Sequence, residues 1–435
     1  MTLVIKGGKL LDPAAGTTTP GDVVCRDGRI VAMGPDAGAG APADAEVLDA
    51  AGLVVTPGLI DMHVHLREPG LEYKEDIASG GRAAAVGGFT TIACMPNTQP
   101  PLDRAAAITF VRDRAAQAGL VNVLPIGSIS KGLAGRELAE IGDMAGAGAV
   151  GFSDDGLPVV SGELMRNALL YAKSHDKPVI AHSEDPSLAE GGQMHCGAWS
   201  ARLGLPGIPA VAEAGMIARD CMLAELTGGR LHIAHLSTEL SLSVLEWAQR
   251  RGVAATAEVT PHHLTISDEL VAETKYDTRT KVNPPLRAAA DVEAMRAGLK
   301  SGSIAVIASD HAPHSADEKD VEYNFAPNGI IGLETTLPVL LTALVHPGVV
   351  DLATVVRAMT LGPAEVLGLT AKGRLAEGAD ADLTLIDLEA EWRIDPDGFN
   401  SKSRNTPFAG WAVKGRAAAT IVAGQVIQRE GRISG

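Results

Sequence analysis

Aromatic side chains are scarce. Phe, Trp and Tyr make up only 3% of the 435 residues, so the chain lacks a base-stacking surface for single-stranded nucleic acid. Positive charge is also in deficit. Against 53 Asp and Glu stand 37 Lys and Arg, a net charge of −16, which opposes a phosphate backbone. Cysteine is sparse: Cys25, Cys94, Cys196 and Cys221 lie far apart and form no Cys-x-x-Cys pair. Reduced thiols in a cytoplasmic protein are the expectation. No apolar run approaches membrane-spanning length. The N-terminus lacks the charged start and apolar stretch of a signal peptide. What is present is ordinary: 46% hydrophobic and 21% charged residues, in a chain long enough to bury a large core without disulfide staples.

The pattern changes along the chain. Residues 1–56 read as short strands broken by Gly and Asp turns, with Asp27-Gly28 a hairpin signal. The Gly/Ala/Pro-rich piece 34–43 reads as a flexible loop. From Pro57, apolar runs at 59–64, 89–95, 121–127, 149–153, 178–182, 230–235, 253–259 and 303–309 alternate with helical stretches such as 104–118, 161–175, 209–227, 238–251 and 288–300. Eight such alternations predict an α/β fold of the (β/α)8 TIM-barrel kind. An open doubly wound sheet is the alternative, disfavoured because no Gly-x-Gly-x-x-Gly follows a first strand. After residue 362 the β texture returns, for example at 381–387 and 419–422. The expected organisation is a small β-sandwich domain built from both termini (1–56 plus 363–435), with the barrel (57–362) inserted.

Chemistry in such barrels sits at the C-terminal ends of the strands, and polar residues gather there. The first strand ends in His63, His65 and Arg67. In a strand, residues i and i+2 share a face, so the two histidines project together, and Arg67 adds a positive fork suited to a carboxylate. Later strands end in Asn97, in Asp154-Asp155, in His182, in His235, in His262-His263 and in Asp310 with His311 and His314. Each has a bland reading: a hydrogen-bonded histidine, a turn, a helix cap. All of them recurring at one end of successive strands is a stronger pattern, and it points to metal. Histidine and carboxylate ligands without thiolates suit Zn²⁺, with Mn²⁺, Co²⁺ or Fe²⁺ as alternatives. Four His and two Asp are too many for one open catalytic ion, and they suit two ions sharing a carboxylate.

These residues resemble a known family. Asp61-Met62-His63-Val64-His65-Leu66-Arg67-Glu68-Pro69-Gly70, Met95-Pro96-Asn97-Thr98, Ser153-Asp154-Asp155-Gly156, Ala181-His182-Ser183-Glu184-Asp185, Thr260-Pro261-His262-His263, Asn283-Pro284-Pro285-Leu286-Arg287 and Ser309-Asp310-His311-Ala312-Pro313-His314 together look like the dihydroorotases of the amidohydrolase superfamily, over essentially the whole chain. His-x-His marks only the superfamily. The Arg67–Gly70 run, the Asn283–Arg287 run and the segment from Asp310 to His314 are more specific. The resemblance implies that His63, His65 and Asp310 bind one metal ion and that His182 and His235 bind a second. Many relatives bridge the ions with a carboxylated lysine. This chain has none at the fourth strand, and Asp155 takes that place, with Asp154 the alternative.

The activity implied is the reversible ring closure of N-carbamoyl-L-aspartate to dihydroorotate, a step of pyrimidine synthesis. Asp310 would move the proton as base and then acid. His65, Arg67, Asn97, Asn283, His314, Asn328 and Gly329 would contact substrate. The chain departs from the family at Asn328, where relatives often carry an aromatic residue. His175, His195, His232, His311 and His346 are read as structural, and so are His262 and His263. The resemblance further implies one or two Zn²⁺ per subunit, a homodimer, and an association with aspartate carbamoyltransferase. Two other readings stand beside it. One is a different cyclic-amide hydrolase: a hydantoinase, dihydropyrimidinase or allantoinase. The other is a non-catalytic scaffold of aspartate carbamoyltransferase, which the complete ligand set argues against.

Overall fold

The computed structural model describes residues 2–434. Parallel strands Leu59–Val64, Phe89–Cys94 and Asn122–Pro125 pair in order, and a second run joins Val179–Ala181, Leu231–Ile233, Ala255–Val259 and Val306–Ile307. Two seams close the ring. Phe152 bridges Gly127 on one side and Val179 on the other, both in parallel, and His311 bridges Val64. The fourth strand is thus a short one, yet it is bonded on both flanks: Ser153 N donates to Gly127 O and Ile180 N to Phe152 O. Eight strand positions therefore close into a barrel.

The barrel strands are short and rich in apolar residues because both faces are covered. Met62, Ala93, Ile126, Ile180, Ala234 and Val306 fill the interior. A larger core, including Val64, Ile92, Val179, Ile233 and Val259, packs outward against the helices. The helices Ala105–Ala118, Gly162–Lys173, Ala210–Thr227, Glu239–Arg250 and Ala289–Ser301 fall where the periodicity placed them. Several begin at capping side chains, with Ser161 accepting from Leu164 N and Thr238 from Ser241 N.

Both ends of the chain join one nine-stranded sheet. Val54–Pro57 lies between Thr2–Asp12 and Leu383–Arg393, so it ties the N-terminal strands to the C-terminal ones. Leu3, Ile5, Leu10, Val23, Leu48, Leu383, Leu385 and Ile421 form its separate core. The 34–43 stretch contains a short 3-10 turn at Ala37–Gly40. Between the strands Leu383–Arg393 and Ala412–Val422, the chain leaves the sheet and crosses to the barrel mouth, where Asn405 donates to Ala312 O and Gly329 O. Among the described residues, no helix is long and apolar enough to cross a membrane.

Candidate metal centre

Five strand ends converge. His63, His65 and Asp155 offer ligand atoms within 4.8 Å of one another, and so do Asp155, His182 and His235. Asp155 belongs to both groups and faces them with different oxygens. Its Oδ2 lies 3.4 Å from Nε2 of His63 and 3.4 Å from Nε2 of His65. Its Oδ1 lies 3.6 Å from His182 Nδ1 and 3.5 Å from His235 Nε2. Asp310 Oδ1 joins the first group, 3.5 Å from His63 Nε2 and 3.1 Å from His65 Nε2. The neighbour Asp154 points elsewhere and accepts from Ile129 N, Ser130 N and Ser130 Oγ. Adjacent strand residues face opposite ways, and Asp155 is the one that meets the histidines.

The backbone bends to make this convergence. Arg67, His235 and Asp310 have positive φ values of 61°, 35° and 49°, a region that side chains other than glycine enter at a cost. Each sits where a strand ends and its side chain must turn into the mouth. Gly70 stands behind Arg67 with φ 95°, where a Cβ would lie 1.9 Å from Gln99 O. Only glycine fits there.

The electrostatics ask for cations. Burial disfavours charge on His63, yet Asp155, Glu258 and Asp310 lift its pKa well above the ordinary value. Burial likewise opposes ionisation of Asp155, but His63 and the facing His182 and His235 hold its pKa well below the ordinary value. Asp310 is brought down to about 2, its burial outweighed by His63 and His65. The buried atoms His63 Nε2 and Asp155 Oδ1 have no hydrogen-bond partner, although native interiors seldom leave such atoms unsatisfied. Imidazole and carboxylate donors that face one another, buried and unpaired, fit divalent metal ions of the zinc kind.

A cavity of about 220 Å³ opens over this cluster, lined among others by Arg67, Asn97, Asn283, His314, Asn328 and Gly329. Arg67 is buried and donates through Nε to Pro313 O. Among the described residues it has no carboxylate partner within 4 Å. Asn97 Oδ1 accepts from His65 Nδ1 at 2.8 Å, which leaves His65 Nε2 facing the Asp residues. Asn283 donates to Glu184 Oε2 at 3.2 Å, while its buried Oδ1 has no hydrogen-bond partner. His314 Nε2 lies 2.8 Å from Asn328 O, so that nitrogen donates to the protein. Burial and the nearby Arg67 push the His314 pKa down to about 3.

The structure thus gathers His63, His65, Arg67, Asn97, Asp155, His182, His235, Asn283, Asp310, His314, Asn328 and Gly329 at one mouth. His262 is buried beside His263, which contacts Thr260 and the carbonyls of Pro284 and Pro285. Several partners of the site carried no assignment from sequence. Asp61 accepts from His63 N and Ser309 N. His311, next to Asp310, meets Glu75, and Ser401 bonds the same carboxylate. Asn405 Oδ1 accepts from His314 N. Asp61 had a signal, an acid inside an apolar strand. Asn405 had none, because it lies 91 residues away from its partner.

A closed barrel with this histidine and aspartate cluster at its mouth defines the metal-dependent amidohydrolase class. Residues 343–428 match the family described as Amidohydrolase family, and residues 52–241 match Dihydro-orotase-like. The chain belongs to the dihydroorotase family. It is 55% identical over 430 residues to a dihydroorotase of Pelotomaculum thermopropionicum, covering 99% of each chain. It is 52% identical over 429 residues to one of Syntrophotalea carbinolica, again covering 99% of each. Among solved structures it is similar to an L-hydantoinase of Arthrobacter aurescens, with TM-score 0.89, 28% identity, and coverage of 100% of this chain and 97% of the other. A dihydropyrimidinase of Brevibacillus agri shares the fold, with TM-score 0.85, 23% identity, and coverage of 100% and 96%.

Proposed function

We propose that this chain interconverts (S)-dihydroorotate and N-carbamoyl-L-aspartate, opening and closing a cyclic amide in pyrimidine synthesis. The observation that carries this reading is one cavity holding both the shared-carboxylate cluster and the buried guanidinium of Arg67. In this reading His63, His65 and Asp310 hold one divalent ion, His182 and His235 hold a second, and Asp155 lies between them. Zn²⁺ fits the donor set best, with Mn²⁺ or Co²⁺ as substitutes. Bound metal would lower the pKa of a water and polarise the amide carbonyl. Free cysteines, three of them buried, suit a reducing cytoplasm.

The remaining steps belong to side chains. Arg67 Nη and Asn97 Nδ2 bind the substrate carboxylate, which makes the anion a condition for productive binding. His314, with Nε2 committed to Asn328 O, walls that end of the cavity and completes its shape. Asn283 meets the edge of the ring. Asp310, held ionised at about 2, accepts a proton from the attacking water. It then delivers that proton to the ring nitrogen as the C–N bond breaks, and the reverse sequence closes the ring.

The similarity to hydantoinase structures supports a cyclic amide in general, and Arg67 supports one bearing a carboxylate. The test is turnover of dihydroorotate measured beside hydantoin and allantoin. Turnover of dihydroorotate is expected. Hydrolysis of the uncharged rings with none of dihydroorotate would overturn the proposal.

A further inference from the structure

Behind the ligands lies a carboxylate without an assigned role. Glu258 stands inside the strand Ala255–Val259 and is fully buried. An ionised carboxylate there must be fully paired, because an unpaired buried charge costs several kcal/mol. Three donors surround it. Its Oε1 lies 2.5 Å from His63 Nδ1 and accepts from His235 N at 3.3 Å. Its Oε2 lies 3.1 Å from His232 Nε2, while His232 Nδ1 lies 2.8 Å from Thr256 Oγ1. An ionised carboxylate only accepts, so the proton sits on His232 Nε2 and points to Glu258.

The consequence falls on His63. A histidine can present only one nitrogen as a lone pair to a metal, and the bond made by the other nitrogen decides which. With Nδ1–H donated to Glu258, Nε2 is the bare atom, and Nε2 is the atom facing Asp155 and Asp310. The same carboxylate oxygen holds the backbone of His235, which belongs to the other ligand group. The two contacts are unequal: a ring nitrogen at 2.5 Å against a backbone amide at 3.3 Å.

We propose that Glu258 is a positioning residue that fixes His63 in its ligating tautomer and keeps it in register with His235. This rests on the metal reading above. Its removal weakens chiefly the ion held by His63 and His65, and affects the ion held by His182 and His235 less.

The test uses full-length protein stripped with a chelator and titrated with Zn²⁺ against a chromogenic competitor. Circular dichroism monitors folding. Glu258→Gln keeps the shape and removes the charge. The expected result is a folded variant whose affinity at one position falls about 10–100-fold, with the other position close to wild type. In a His182→Ala background, which lacks a ligand of the second group, the same loss must persist. A folded E258Q protein with both affinities unchanged, or both weakened equally, overturns the proposal. Should E258Q fail to fold, Glu258→Asp keeps the charge but withdraws it from His63. The same one-sided loss is then expected, and wild-type affinity at both positions overturns the idea. Wild-type protein that takes up no Zn²⁺ overturns the metal reading itself, and this inference with it.

Discussion

At the scale of the residue, the proposed mechanism divides the work between Asp310 and Arg67, and the division can be measured. Asp310 lies 3.1 Å from His65 Nε2 and is held ionised, the state from which it could accept a proton. Asp310→Asn keeps the volume and loses the basicity. It should stay folded and still bind metal, while kcat falls by about 10²–10⁴. Arg67→Ala should instead raise KM by more than it lowers kcat, because in the proposed mechanism the guanidinium holds the carboxylate and not the reacting bond. Steady-state kinetics on both variants, with metal analysis on the same samples, check the split. Near-full activity in Asp310→Asn, or an unchanged KM in Arg67→Ala, would contradict the assignment. Legibility at this scale follows chain distance. His63, His65 and Arg67 follow at two-residue spacing through the end of one strand, so the spacing exposed them. Glu258 stood in plain view in its strand, but its partners, 195 and 26 residues away along the chain, did not. Asn97 and His314 were read as substrate contacts, yet each also makes a hydrogen bond to the protein, which only coordinates reveal.

Elements explain why the segment Asn283–Arg287 ends in arginine. Arg287 is buried and reaches across three elements. It donates to Glu213 Oε2 at 3.1 Å, Ser237 Oγ at 3.0 Å and Ile208 O at 3.3 Å. Ser237 follows His235 by two residues and also bonds Glu213, so this pair braces the loop leaving the strand that ends at His235. Arg287→Ala would leave Glu213 charged, buried and unpaired. The expected loss is about 3–5 kcal/mol, read by urea denaturation of the variant. The double variant Glu213→Gln with Arg287→Met should lose less than the single one, because no lone charge remains. Equal losses would show that packing, not charge, holds the loop. The strands and helices of the barrel were visible because apolar runs and 3.6-residue periods are local signals. The fourth strand is short and was still found, since the apolar run 149–153 leads into the acid pair. The crossing of 394–411 to the barrel mouth was invisible, because nothing local in that stretch specifies its destination.

The whole molecule is a closed barrel whose mouth is braced by both its own loops and the C-terminal segment, with a nine-stranded sheet beside it. Buried neutral histidines give this assembly an acid limit. His263 is fully buried and, with Arg287 nearby, its pKa falls from 6.5 to about 4. The folded state therefore binds fewer protons than the unfolded chain between those values. Its contribution is fully present above pH 6.5 and is lost as the pH falls towards 4, on the order of 3 kcal/mol in all. Denaturation curves across that window should show stability falling with acid, less steeply in His263→Gln. Identical slopes would rule out this source.

The central claim is that metal and carboxylate recognition share one cavity. The most direct measurement takes one sample of purified protein through metal analysis and dihydroorotate turnover, before chelation, after it, and after Zn²⁺ is restored. Bound divalent metal and turnover are expected at the start, loss of both on chelation, and recovery of both with Zn²⁺. Turnover that survives complete removal of the metal, or fully loaded protein that leaves dihydroorotate untouched, would contradict it.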